Sequence, residues 1–533
     1  MPDRLNPCVR WIPLAMLAAA LLWAPAFAQR TLVVAQPTDA GSIDFDRTSI
    51  VGRNMGINVY DWQWVRYETL ETEDGQLYSH PFELAPGIVT SWETILNDDG
   101  SAVQRLTIRD DAVFHSGNPV TVNDLKYSVM RRAALGGHNL HVTVGGMYGP
   151  DQDELDATMR IIDDHTMEID VQRATPSFWE TWTQRWYWDS AVMLEHASDD
   201  DPWSQEFAAQ GDAGSGPYTI ASWTPGVEMR LTRFEDYWGP APAIDEIVFR
   251  VVPDVSTRAL LLRQGQIDVA LELPNDEIEA LRGAPGVQVI SAPSSDMLAI
   301  MMNPNIAPFD NHDLRLALSY AFPYDDIIPG VYSGRAQPFN GPIPTGSDGA
   351  LEERRYVTDL DRAREHLEAA GFASGLTLTL RYEAGFDAHE QIGILFGENL
   401  RQIGVTLNLQ RLPAGQFATG RIERTLDFFI AQSLPWITTA EYVFRLSYLE
   451  NTPSNNIGYR NEIVEELVPL ANDEPDADAR REMNLRVQDA ILDDAVWIYI
   501  AQPDFQLAMR DSIVGYVAQN TRFNHWWLVD KVD

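Results

Sequence analysis

Cysteine is almost absent from this chain. Cys8 is the only one in 533 residues, so everything after it can hold no disulfide, thiolate nucleophile or zinc–thiolate centre. Positive charge is also scarce, with 39 Lys and Arg against 78 Asp and Glu and a net charge of −39. Binding a phosphate backbone relies on clustered cations, so nucleic acid is not expected as a partner. The 10 histidines are scattered, and neither a metal nor any other cofactor is expected. Acidic surfaces often serve solubility alone, so the charge names no ligand.

Long apolar runs are missing as well. Past the N-terminus no stretch reaches the roughly 18 apolar residues of a membrane span. The one apolar segment, Trp11 to Trp23, follows Arg4 and Arg10 and precedes Ala26-Phe27-Ala28, the small-x-small pattern cut by signal peptidase. Pro13 and Pro25 argue against a buried helix there. Residues 1–28 therefore read as a signal peptide cleaved near Ala28-Gln29, which sends the protein to the periplasm. Cys8 lies before the apolar segment rather than at the cleavage point, so no lipid anchor is expected.

What is present is an alternation of strand and helix patterns over a length that exceeds one ordinary core. Thr31 to Ala35 reads as a strand. Leu106-Thr107-Ile108-Arg109 alternates as another, followed by the turn His115-Ser116-Gly117-Asn118-Pro119 and a helix opened by Thr121 with Asp124 three residues on. Met229 to Thr232 and Ile247 to Val252 are strand candidates. Asp254 caps a helix with Val255, Ala259 and Leu262 on one face, and Gly265 ends it. A second series runs from Met301 through a helix after Asp310, a helix closed by Gly371, a strand of Leu376, Leu378 and Leu380, and a strand from Val405. Such alternation predicts an α/β fold in two lobes.

No catalytic motif accompanies these elements. There is neither a G-x-S-x-G elbow nor an H-E-x-x-H helix, and His138 with His141 reads as a loop pair. Gly214-Ser215-Gly216 lacks the third glycine of a dinucleotide site. A secreted hydrolase is thus the weaker alternative, and an enzyme is not expected.

Five ordered motifs carry a resemblance. Phe114-His115-Ser116-Gly117-Asn118-Pro119-Val120-Thr121 with Tyr127-Ser128, then Gly214-Ser215-Gly216-Pro217-Tyr218, Asp236-Tyr237-Trp238-Gly239, Gly265-Gln266-Ile267-Asp268, and Asn303 with Pro308-Phe309-Asp310 and Arg315 follow one another at compatible spacing. Asp361 through Gly371 adds a helix of the same kind. Together they resemble the family 5 extracellular solute-binding proteins, the peptide, nickel and oligosaccharide receptors of ABC importers. The resemblance implies a two-lobed periplasmic binding protein of the venus-flytrap type with an extra inserted subdomain. Expected are a first lobe from 29–66, 205–292 and 487–533, an insert at 67–204 and a second lobe at 293–486. It also implies a monomer that hands a peptide or other small solute to an ABC permease, without a membrane anchor of its own.

Peptide-binding members usually place an amine-pairing aspartate in a "GW--D" loop. Here that region reads Ser433-Leu434-Pro435-Trp436-Ile437-Thr438-Thr439-Ala440-Glu441, with a threonine near the aspartate's place. Peptide, oligosaccharide and other small organic solutes all stay open. Candidate ligand contacts are Trp436, as a stacking face, and Thr438. Arg381 could hold a carboxylate in bidentate fashion, and Ser49 and Asn303 could offer polar contacts from a loop and a strand end. The helical spacing of Trp179, Trp182 and Trp186, beside Tyr187 and Trp188, reads as core packing rather than as a sugar platform.

Overall fold

The computed structural model describes residues 29–60, 64–136, 152–175, 177–452 and 454–532. The leader 1–28 and the His138/His141 pair lie outside the described residues. The opening strand Thr31–Gln36 runs through a seven-stranded sheet. Its spatial order is Val287–Ala292, Phe505–Arg510, Val269–Ala270, Thr31–Gln36, Glu246–Val251, Glu228–Arg233 and Tyr218–Thr224. Thr31–Gln36 pairs in parallel with both neighbours, and Leu32, Val34 and Ala35 are fully buried. Parallel neighbours need a crossover. Helix Val255–Arg263 supplies one, capped by Asp254, which accepts from Thr257 N at 2.7 Å, and followed by Gly265 at φ +68°.

The second lobe is built on a six-stranded sheet in the order Ala336–Pro338, Trp497–Pro503, Met297–Met302, Phe428–Ser433, Leu376–Glu383 and Val405–Leu412. Its inner strand Met297–Met302 is apolar throughout because both faces are covered. Leu298, Ile300 and Met302 join one core with helices His312–Ala321, Leu360–Ala369 and Asp387–Gln402. Met297, Ala299 and Met301 join another with helices Ala440–Ser447, Glu462–Asp473 and Ala477–Asp493.

A four-stranded sheet of Val89–Leu96, Ala102–Ile108, Thr166–Val171 and Met159–Asp163 forms the inserted unit. Helix Val122–Leu135 belongs to it, opened by the reciprocal bonds of Thr121 and Asp124 and closed by Gly136 at φ +59°. Its Arg131 reaches out of the insert to the loop after the opening strand. There it makes a bidentate pair with Asp44 at 2.8 and 2.9 Å and also binds Asp46, all three residues being buried.

Two expected boundaries move. Helix Ala477–Asp493 and strand Trp497–Pro503 belong to the second lobe's core and sheet, so the last first-lobe segment starts near 504, not 487. The insert's far boundary at 204 is also displaced, because Trp186, Trp188 and Met193 already pack in the first-lobe core, while Trp179, Trp182 and Tyr187 stay in the insert's core. The tryptophan cluster is buried as expected, but not on an α-helix: Trp182 lies in a 3₁₀ turn, Glu180–Gln184, which Trp179 precedes and Trp186 and Trp188 follow in non-helical chain.

Two of the sequence motifs turn out to meet. His115 N donates to Gly214 O at 2.9 Å, and the His115 ring touches Asp212 Oδ1 at 2.6 Å and Gly216 O at 2.9 Å. Asp189 accepts from Ser116 Oγ at 2.5 Å and from Asn118 Nδ2. Both glycines lie against the carbonyl of Val59: a Cβ on Gly214 would fall 2.2 Å, and one on Gly216 2.6 Å, from Val59 O. Backbone cannot yield as a flexible side chain would. Gly216→Ala should therefore lower stability by about 1–3 kcal/mol through overpacking, read as an earlier denaturation midpoint. An unchanged midpoint would show that the junction can relax.

Candidate functional site

The chain passes between the two large sheets twice, once through 293–296 and once through Asp504. The two crossings are bonded to each other. Ser294 Oγ donates to Pro503 O at 2.7 Å, Gln502 Nε2 to Ser294 O at 2.9 Å and Ser291 Oγ to Asp504 Oδ2 at 2.9 Å. Paired short connections leave few torsions to turn and hold the rest rigid, which is the construction of a hinge.

Beyond the hinge the lobes are in contact. The second-lobe loop 434–439 follows strand Phe428–Ser433 and lies on the first lobe: the Trp436 ring sits 5.7 Å from that of Phe523, and Thr438 Oγ1 donates to Pro81 O at 2.8 Å. Asp296, at the start of the second lobe, is buried and pairs with Arg522 of the first-lobe tail, while Gln432 Nε2 donates to it at 2.5 Å. Arg335 pairs with Glu279, and Arg173 approaches Asp473 at 3.8 Å.

Of the five candidate contacts, the structure brings Trp436 and Thr438 to this interlobe surface and leaves the other three elsewhere. Met297 and Ser433 pair at the hinge end of their strands, whereas Asn303 and Asp427 are bonded at the opposite end, roughly 20 Å away at about 3.4 Å per residue. Asn303 is spent there, its Nδ2 donating to Arg424 O at 3.1 Å. Arg381 pairs with Asp427 at that same end and lines a groove of about 520 Å³ with Gln410, Gln416, Thr419 and Glu423. Ser49 is an exposed N-cap whose Oγ accepts from Gly52 N at 3.3 Å.

Residues not singled out from the sequence fill the interlobe surface. Glu180 comes from the 3₁₀ turn of the insert, and its electrostatic neighbours are Tyr67 on strand Val65–Glu71 and, from the second lobe, Glu441 and the exposed Asp348. Burial, with those two acids adding to it, holds its carboxyl well above the usual range. Glu441 is itself buried and accepts from Asn484 Nδ2 at 2.7 Å, with Arg480 at 3.5 Å. Among the described residues no group of three or more His, Cys, Asp or Glu is placed to hold a metal ion.

The raised Glu180 pKa has a signed consequence. A carboxyl that holds its proton more tightly folded than unfolded costs stability as pH rises above its unfolded value near 4.3. Glu180→Gln should therefore raise the melting temperature of the ligand-free protein at pH 8, and the gain should vanish near pH 4. A gain independent of pH would assign the effect to packing instead.

Two α/β lobes, a two-stranded hinge and buried polar groups where the lobes meet define a two-lobed binding protein. The sequence family described as bacterial extracellular solute-binding proteins, family 5, matches residues 83–455, and this chain belongs to it. It is 27% identical over 437 residues to the probable D,D-dipeptide-binding periplasmic protein DdpA of Escherichia coli K12, covering 81% of each chain. It is 25% identical over 534 residues to the glutathione-binding protein GsiB of Pectobacterium atrosepticum, covering 97% of each. The fold is shared with the ABC transporter substrate-binding protein CtaP of Listeria monocytogenes, at a TM-score of 0.82 and 20% identity over 95% of this chain and 100% of that one. It is also shared with the periplasmic binding protein DppA of Helicobacter pylori in complex with the peptide STSA, at 0.72 and 22% over 94% and 98%.

Proposed function

We propose that this protein is the periplasmic substrate-binding component of an ABC importer, and that it encloses a peptide or peptide-like solute between its lobes and presents it to the permease. The observation that carries the reading is the hinge with polar groups buried at the contact it controls. Closing two walls around a solute removes water from both, so contacts that are weak in water become discriminating. The family supports the transport role, and the dipeptide and glutathione named for its relatives support the ligand class. The reading includes export with loss of 1–28, a monomer, no catalytic residue and no cofactor. The aromatic cluster that would have suited a sugar ring is core in this structure, so the oligosaccharide alternative loses the feature that favoured it.

Thermal-shift measurements on the purified protein with D-alanyl-D-alanine, L-alanyl-L-alanine and glutathione test the reading. At a hundredfold its dissociation constant a ligand should add about 2.7 kcal/mol of stability. It should be recovered chemically intact. Hydrolysis of the bound compound would overturn the receptor reading, and no shift with any of the three would overturn the peptide class.

A further inference from the structure

A small cavity lies where the core of the insert meets that of the first lobe. Trp64, Ser128, Val129, Arg132, Arg185 and Trp186 line it, all of them buried, and its volume of about 10 Å³ is on the scale of one water molecule or one monoatomic ion. The polar groups around it are mostly donors. Trp64 Nε1 is buried without a hydrogen-bond partner, and the two guanidinium groups bring N–H donors and positive charge but no acceptor. The guanidinium carbon of Arg185 lies 4.2 Å from the centre of the Trp182 ring and 5.5 Å from that of Trp64, and the one of Arg132 lies 3.8 Å from the centre of the Trp186 ring. Indole faces wall both cations. Ser128 Oγ, the one side-chain acceptor in the lining among the described residues, is already engaged: it donates to Asp124 O at 2.6 Å and accepts from Trp188 N at 2.9 Å.

A water in this cavity would bring two hydrogens for which the lining side chains offer donors instead of acceptors, whereas an anion accepts from every donor and brings none. Two cations in one buried wall also repel each other. Burial, and for Arg185 the charge of Arg132 as well, pulls both guanidinium groups down from the usual arginine range. Among the described residues the acids acting on Arg132 are Asp46 and Asp44, and both are already bonded to Arg131. We propose that the cavity binds a monoatomic anion of the halide class, chloride in ordinary media, held between Arg132 and Arg185 with the Trp64 N–H as a further donor. Trp64 and Val129 belong to the core of the insert and Trp186 to that of the first lobe. The anion is therefore a pin between the two units, and its loss loosens their junction. The site is independent of the solute carried between the lobes.

Urea denaturation of the purified protein tests this, with sodium chloride replacing sodium gluconate at constant ionic strength so that screening of the surface charge stays fixed. Between about 5 mM and about 500 mM chloride the unfolding constant of the wild type should fall at least tenfold and level off as the site fills. Arg185→Met should reduce that change to within about twofold. Crystals of the wild type grown in sodium bromide, with data collected at the bromine absorption edge, should show an anomalous peak between Arg132 and Arg185. If Arg185→Met does not fold, the wild-type titration and the crystal decide together. A peak with no dependence of stability on chloride would mean an adventitious ion only and overturn the proposal. No peak in the cavity, or full chloride dependence in a folded Arg185→Met, would overturn it too.

Discussion

Arg131→Met should cost the first lobe about 3–5 kcal/mol, because removing one side of a buried ion pair strands the other. The guanidinium joins two carboxylates at once. It binds both oxygens of Asp44, contacts Asp46, donates from Nε to Trp203 O at 2.9 Å and lies 4.8 Å from the centre of the Trp188 ring. Burial already pushes the Asp46 carboxyl upward, and Arg131 is among the groups that pull it back. Arg132 stands 3.9 Å from Asp46, beyond hydrogen-bond reach, so it is a poor substitute. Adding Asp44→Asn and Asp46→Asn to Arg131→Met removes the stranded charges and should recover more than half of the loss. Urea denaturation followed by tryptophan fluorescence reads both changes, since Trp186 and Trp188 sit in the same core. A single-variant cost under about 1 kcal/mol would mean that water reaches the carboxylates and that the pair behaves as a surface one.

Local signals made much of this fold legible. Thr121 with Asp124, Asp254 before its helix and Gly265 after it are caps whose chemistry acts within four residues, and each stands where the pattern placed it. Helix His312–Ala321 likewise follows Asp310 as the pattern placed it, with Asn311 as its cap. Pairing over long sequence distance was not legible. Trp497–Pro503 is buried throughout, and such a run does not say which sheet it enters; its neighbour Met297–Met302 lies some 200 residues earlier. Asn303 does end a strand, but which end faces the cleft depends on strand direction, and that is set by partners elsewhere. Arg381 alternates with the buried Leu378, Leu380 and Tyr382, so its side chain takes the other face, where Asp427 meets it. Glu180 was hidden among tryptophans that read as core. A carboxylate inside so apolar a stretch was the available signal, for burying one without a partner needs a reason.

Replacing Trp436 by Ala together with Thr438 by Val should open the lobes before any ligand is added. Trp436 is half-buried against the first-lobe core and Phe523. Losing about half of a tryptophan's 150–250 Å² contact, at roughly 25 cal/mol per Å², removes about 2–3 kcal/mol from the closed arrangement. The bond from Thr438 to Pro81 O adds about 1 kcal/mol. A bias of about 3 kcal/mol changes a two-state equilibrium roughly 100-fold. The radius of gyration from small-angle scattering should therefore rise in the ligand-free double variant, while the denaturation midpoint of each lobe stays within the range of a surface change. Affinity should fall by up to about 100-fold for free and N-acetylated dipeptides alike, because the closing equilibrium multiplies every dissociation constant by the same factor. An unchanged radius with weakened binding would move Trp436 from the closing contact to the ligand itself.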